Sequence, residues 1–231
     1  MNIIITGGSS GIGLETAKVL SENKEINIIV TGRNETALKK VSDYSPYHNI
    51  IPLITDFTTL ASNSESILKF VRKYFDKIDI LINNAGYLYA RKFDETDEKE
   101  ARLMMEINFF VPAMLIRLFL PLFHRGSHIV NISSMGGYQG SQKFPGLSYY
   151  SASKAAIACL TECLATELID REIYVNCIAP GSVQTEMFDR AFPGQKANLS
   201  AEEMGKFLAW FAINGHRYFN GKIIPVAMVS P

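Results

Sequence analysis

Seven short apolar runs recur along this chain, and a helix-length segment follows nearly every one of them. The runs fall at residues 3–6, 26–31, 50–55, 78–83, 128–133, 174–179 and 222–226 and are rich in isoleucine and valine. β-Branched side chains suit a pleated strand. A strand wet on one face alternates apolar with polar residues, whereas a continuous apolar strand is covered on both faces. The segments between, 11–23, 35–41, 60–75, 98–123, 150–169 and 201–212, have the length and periodicity of helices. Repeated βα units predict an α/β fold: a doubly wound, Rossmann-like parallel sheet of about seven strands with helices on both faces. No composition shift or linker divides the 231 residues, so one domain over 1–231 is expected.

Charge and composition remove several function classes. Lys+Arg and Asp+Glu each number 23, and no basic run exceeds a pair, so the phosphate-neutralising face of a nucleic-acid binder is not expected. The strongest apolar stretch, 109–116, is far short of the ~20 residues of a membrane helix. The N-terminus reaches glycine after three isoleucines without a basic region, which predicts a cytoplasmic chain with no signal peptide. Cys159, Cys163 and Cys177 lie in apolar, patterned sequence and are read as small buried hydrophobes in a reducing compartment. The four histidines are scattered and no metal site is expected; His124 and His128 flank Arg125-Gly126, read as a turn.

The first strand runs into Thr6-Gly7-Gly8-Ser9-Ser10-Gly11-Ile12-Gly13, followed by a helical pattern. Glycines permit the tight turn, and the helix N-terminus favours a pyrophosphate. Further motifs follow in order: Asp56 after strand three, Asn83-Asn84-Ala85-Gly86 after strand four, and Asn108 in the helical segment 98–123. Then come Ile132-Ser133-Ser134, Tyr150-Ser151-Ala152-Ser153-Lys154, and Pro180-Gly181 with Thr185. This series resembles the short-chain dehydrogenase/reductase family in its compact TGxxxGxG/YxxxK branch, over almost the whole chain. The resemblance implies an oxidoreductase that moves a hydride between a nicotinamide cofactor and a carbonyl/alcohol pair. A non-catalytic NADP(H)-binding sensor or scaffold is the alternative.

Tyr150 and Lys154 are four apart and share a helix face. An ammonium about 4 Å away, at an effective dielectric near 20, favours phenolate by roughly 4 kcal/mol. That predicts a Tyr150 pKa about three units below its ordinary ~10, near the working range of a general acid/base. By the resemblance, Ser134 donates a hydrogen bond to the substrate carbonyl. Ser133 is the competing serine, and the choice of Ser134 follows the family pattern. The resemblance gives Asn108 a water linking Lys154 to solvent and gives Lys154 the ribose hydroxyls.

For the cofactor, the implied residues are Gly7, Ser9, Ser10, Gly11, Ile12, Gly13, Arg33, Asp56, Phe57, Asn83, Ala85, Gly86, Tyr150, Lys154, Pro180, Gly181, Val183 and Thr185. At the end of strand two, Gly32 stands where an NAD site usually has an acid, and Arg33 follows. Arginine pairs with a 2′-phosphate, so NADP(H) is expected in preference to NAD(H).

Two long loops after strands, 134–149 and 181–200, are the expected substrate site. The first offers Met135, Tyr138, Phe144, Leu147 and Tyr149; the second offers Met187, Phe188 and Phe192. Their apolar character predicts a medium-sized or apolar ketone. Relative to the family, Ser134 and Tyr150 are about three residues further apart, and 227–231 replaces an acidic, glycine-rich ending. The resemblance also implies a homodimer or homotetramer through helices 98–123 and 150–169, and the first carries more apolar residues than one inward stripe needs.

Overall fold

In the computed structural model, which describes residues 1–227, the apolar runs form one parallel sheet. Its strands are β1 (Asn2–Ile5), β2 (Asn27–Gly32), β3 (Ile50–Ile54), β4 (Ile78–Asn83), β5 (Phe123–Ile132), β6 (Tyr174–Pro180) and β9 (Ile223–Val226). Their spatial order is β3-β2-β1-β4-β5-β6-β9. A second, parallel pair joins β7 (Val183–Gln184) to β8 (Leu199–Ser200). The helices are α1 (Gly11–Ser21), α2 (Glu35–Tyr44), α3 (Leu60–Tyr74), α4 (Glu98–Met105), α5 (Val111–Phe119), α6 (Ser148–Glu167), α7 (Glu186–Ala191) and α8 (Ala201–Asn214).

Alternate residues of the strands feed two cores, one on each face. Ile3, Ile5, Ile28, Val30, Ile80, Ile82 and Val130 pack with α1, α2 and α8. Ile4, Ile29, Leu81, Ile129 and Val175 pack with α3 and α5. Both faces are dry, as the uninterrupted apolar runs require. Strand order reverses between β1 and β4, and the carboxyl ends of the strands open onto that switch point, where ligands of such sheets bind.

Four expectations need correction. The helix expected over 98–123 is broken by a π turn, Glu106–Phe110, that holds Asn108, and it ends in a 3₁₀ turn, Leu120–Leu122. Counted through, Glu98–Leu122 is a 25-residue helix with a mean hydropathy of 1.7 in its apolar window, long and apolar enough to cross a membrane, although proline and glutamate interrupted that signal in the sequence. The expected turn at Arg125-Gly126 lies inside β5, where Gly126 takes φ +89° and the pairing with β4 shifts register. Cys159 and Cys163 are exposed on α6, and only Cys177 is buried. The loop 181–200 is no open connection: β7 and β8 pinch its base and α7 forms its tip. Of the unusual ending at 227–231, residues 228–231 lie outside the described residues.

Candidate active site

The glycine loop closes on the turn after β4. Gly7 and Gly11 have positive φ, +68° and +56°, which glycine adopts without strain. A Cβ on Gly13 would lie 2.4 Å from Asn84 Nδ2 and 2.5 Å from the Gly7 oxygen, so only glycine fits. Asn84 Nδ2 donates to the carbonyls of Thr6 and Gly7, both at 3.0 Å. Thr6 Oγ1 accepts the N–H groups of Asn84 and Ala85. Neither Thr6 nor Asn84 was assigned a role from sequence, because each looked like part of a neighbour's motif.

A nicotinamide dinucleotide fits this cradle. Ser10 stands before α1 without capping it, which leaves the first N–H groups of α1 to an anion. Thr31 and Thr55, at the ends of β2 and β3, each bury a hydroxyl with no partner among the described residues. A Cβ on Gly32 would meet Ser9 Oγ at 3.0 Å, so the serine occupies the room an acidic side chain would need. Arg33, exposed beside it, helps to lower the Asp56 pKa, behind the larger effects of the Thr58 N–H and hydroxyl and against burial. Asp56 Oδ1 accepts from both Thr58 groups at 2.9 Å. Opposite, the Thr185 methyl would lie 3.2 Å from a Cβ on Gly11, so the pinched loop touches the cradle.

Other expected cofactor residues are placed differently. The Asn83 amide donates to Asn131 Oδ1 at 2.8 Å, and Asn131 donates to Thr161 Oγ1 at 2.9 Å, a buried ladder across β4, β5 and α6. Phe57 and Val183 are buried in the two cores, and Ile12 packs partly against one of them. Gly181 donates its N–H to Val226, next to Pro180, which pairs with the same residue. Gly86 lies where a Cβ would be 3.3 Å from Asn108 Oδ1 and 3.4 Å from Lys154 Nζ, so its bareness lets those two groups approach.

Ser133 and Ser134 separate cleanly. Ser133 Oγ is buried and donates to the Lys154 carbonyl at 2.6 Å, fastening β5 to α6. Ser134 starts a 3₁₀ turn, accepts the Gly136 N–H at 3.1 Å, and lies close enough to the Tyr150 phenol to favour its ionised form. A Cβ on Gly137 would lie 2.6 Å from the Ala155 nitrogen, so this turn rests directly on the catalytic helix candidate α6. Asn108 holds the Tyr87 backbone at both ends, 2.8 Å each, and donates to Ser153 Oγ at 2.9 Å. Ser153 in turn donates to the Tyr150 carbonyl at 2.7 Å. The π turn therefore braces α6 at the tyrosine through side chains, and Ser153, hidden inside the YxxxK spacing, was not singled out from sequence.

The expected depression of the Tyr150 pKa is not found. Burial pushes the phenol up, partly offset by Ser134. Lys154 Nζ lies 5.9 Å from the Tyr150 ring centre and donates to the Ile132 carbonyl at 2.8 Å, so its charge is spent on the backbone rather than beside the phenol oxygen. Burial also pulls the Lys154 ammonium down to about 8, against a small opposing effect of Cys177.

The family model described as short chain dehydrogenase matches residues 1–196. An uncharacterised oxidoreductase of Staphylococcus epidermidis is 30% identical over 203 residues, covering 87% of this chain and 86% of its own. The dehydrogenase/reductase SDR family member 7B of Mus musculus is 34% identical over 80% of this chain and 58% of its own length. A crystal structure of a dehydrogenase/reductase from Sinorhizobium meliloti superposes with a TM-score of 0.85 at 28% identity, over 97% of this chain and 92% of that one. A short chain dehydrogenase from Shigella flexneri, complexed with NADP, gives 0.87 at 27% identity over 97% and 95%.

Proposed function

The chain belongs to the short-chain dehydrogenase/reductase family, and from that premise we propose that it transfers a hydride between NADP(H) and a medium-sized, apolar ketone or its alcohol. One observation carries the reading: Ser134, at the carboxyl end of the sheet, is near enough to the Tyr150 phenol to favour its ionised form, with Lys154 over the same ring. When bound, the nicotinamide supplies or accepts the hydride. Ser134 donates to the carbonyl oxygen, where negative charge grows, and Tyr150 delivers the proton to that oxygen. A phenol kept protonated by burial suits this duty in the direction of reduction. Lys154 holds the ribose hydroxyls and the local positive charge, and Asn108 fixes α6 beneath both.

Gly32, its space taken by Ser9, with Arg33 beside it, supports NADP(H) over NAD(H), and the Shigella flexneri neighbour complexed with NADP agrees. Gly7, Gly11, Gly13 and the open start of α1 take the pyrophosphate, Asp56 the adenine side, Ala85 and Gly86 the ribose side, and Pro180, Gly181 and Thr185 the carboxamide. Leu103, Ile107, Met114 and Leu118 leave an apolar stripe half-buried on helix 98–122, with Phe110 47% exposed beside it. That stripe and α6 support a homo-oligomer as the working form.

Purified protein mixed with NADPH and a panel of ketones, aldehydes and sugar-derived carbonyls tests the reading by loss of reduced-nicotinamide absorbance. Oxidation that disappears in Tyr150→Phe, with NADPH binding retained, is the expected result. Equal rates in both proteins would remove Tyr150 from the chemistry.

A further inference from the structure

The longer connection between Ser134 and Tyr150 is an ordered lip. Gly146, at φ +84°, accepts the Arg91 N–H through its carbonyl at 3.0 Å, which joins the lip to the segment after β4. Just beyond Arg91, Phe93 begins a 3₁₀ turn held by the Lys92 carbonyl, which accepts from Glu95 N at 3.1 Å and Thr96 Oγ1 at 2.9 Å. The Phe93 ring lies on the Tyr149 ring, centroids 5.3 Å apart and planes 14° from parallel. Yet Phe93 is 65% exposed. A stacked pair inside a core serves the fold; this pair leaves one whole aromatic face to solvent, one residue from Tyr150. In the other long loop, Phe188 of α7 and Phe192 just past its end form a second pair, with centroids 5.1 Å apart.

We infer that Phe93 and Tyr149 form an aryl-binding wall at the lip of the site that favours ketones carrying an arene. The inference rests on the reductase reading for the position of the carbonyl. A preset stack offers a ring a parallel partner without ordering either side chain, and aromatic pairs of this geometry are worth about 2- to 12-fold in affinity. Phe93 had no signal in the sequence, since an isolated phenylalanine between charged residues reads as loop.

Acetophenone and 2-octanone, which have equal carbon counts, are the probes, and Phe93→Leu keeps an apolar side chain while removing the ring. At 65% exposed, Phe93 is not needed for folding. The ratio of kcat/KM for the aryl over the aliphatic ketone is expected to fall about 3- to 10-fold in Phe93→Leu, and likewise in Tyr149→Leu. An unchanged ratio overturns the inference. Binding of acetophenone, read by saturation-transfer NMR with NADP⁺ present, is expected to weaken by a similar factor in Phe93→Leu. Equal binding to both proteins overturns it even if nothing is reduced. Weaker binding by Phe93→Leu without any turnover upholds the aryl wall and refutes the reductase reading.

Discussion

Acid should loosen this protein through one buried imidazole. His128, in β5 at the end of the sheet away from the cofactor cradle, is fully buried. Its Nδ1 is 2.9 Å from the Ala212 carbonyl, so that nitrogen carries the proton, and Nε2 accepts from Asn176 Nδ2 at 3.0 Å. Asn176 cannot turn over to suit a second proton. Its Nδ2 also donates to the Phe219 carbonyl at 2.9 Å, and its Oδ1 accepts the Lys222 N–H at 3.1 Å. Burial first, then the nearby His216, pulls the His128 pKa from 6.5 to about 4, against the Ala212 carbonyl. His216 stands 5.5 Å away, its own pKa lowered by burial, with a buried Nδ1 that has no partner among the described residues.

The unfolded chain therefore takes up a proton near 6.5 and the native one only near 4, so stability is complete above 6.5 and falls between those values as acid is added. At about 1.36 kcal/mol per pKa unit the full loss is about 3 kcal/mol. His128→Gln keeps an acceptor and a donor but does not titrate. Urea unfolding followed by circular dichroism, at fixed protein concentration, measures both proteins at several pH values. The stability of wild type relative to His128→Gln should drop by about 2 kcal/mol or more between pH 7.5 and 4.5. A difference that stays constant over that range would refute the assignment of the acid sensitivity to His128.

Three further outcomes follow from the site. With the Lys154 ammonium at about 8, kcat/KM for carbonyl reduction should decline as pH rises through that value, and Lys154→Arg, whatever its residual rate, should not show that decline. Gly13→Ala should cost about 1–3 kcal/mol of stability in thermal or urea unfolding and weaken NADPH binding at least tenfold, because the methyl has nowhere to go but into Asn84 and Gly7. Arg33→Ala should raise the Kd of NADPH about tenfold and leave that of NADH nearly unchanged, measured by fluorescence titration. Equal weakening of both cofactors would place Arg33 elsewhere than at the 2′-phosphate.

The sheet was legible because its signal is local. Ile3–Ile5, Ile28–Val30 and Ile80–Ile82 announce strands covered on two faces without any knowledge of what covers them. What escaped depends on distant partners. β7 and β8 have two residues each and exist only through their pairing, which no window of sequence displays. The π turn at 106–110 shares its apolar spacing with an ordinary helix. For the site, Ser134, Tyr150 and Lys154 lie at one end of the sheet, and the i, i+4 spacing put the last two on one helix. Spacing cannot say where a long side chain ends. Lys154 Nζ turns to the Ile132 carbonyl, so the depression of the tyrosine pKa inferred from proximity is absent. The same limit hid Ser153 and Phe93, whose partners, Asn108 and Tyr149, lie 45 residues and more away.

Hydride transfer itself is tested most directly with NADPH deuterated at C4 of the nicotinamide, using separate preparations labelled on each face. A turned-over ketone should yield an alcohol with one deuterium on the carbinol carbon from one preparation and none from the other, read by mass spectrometry and NMR. Alcohol formed without deuterium from either preparation would contradict the account, because the hydrogen would then have come from solvent rather than from the cofactor.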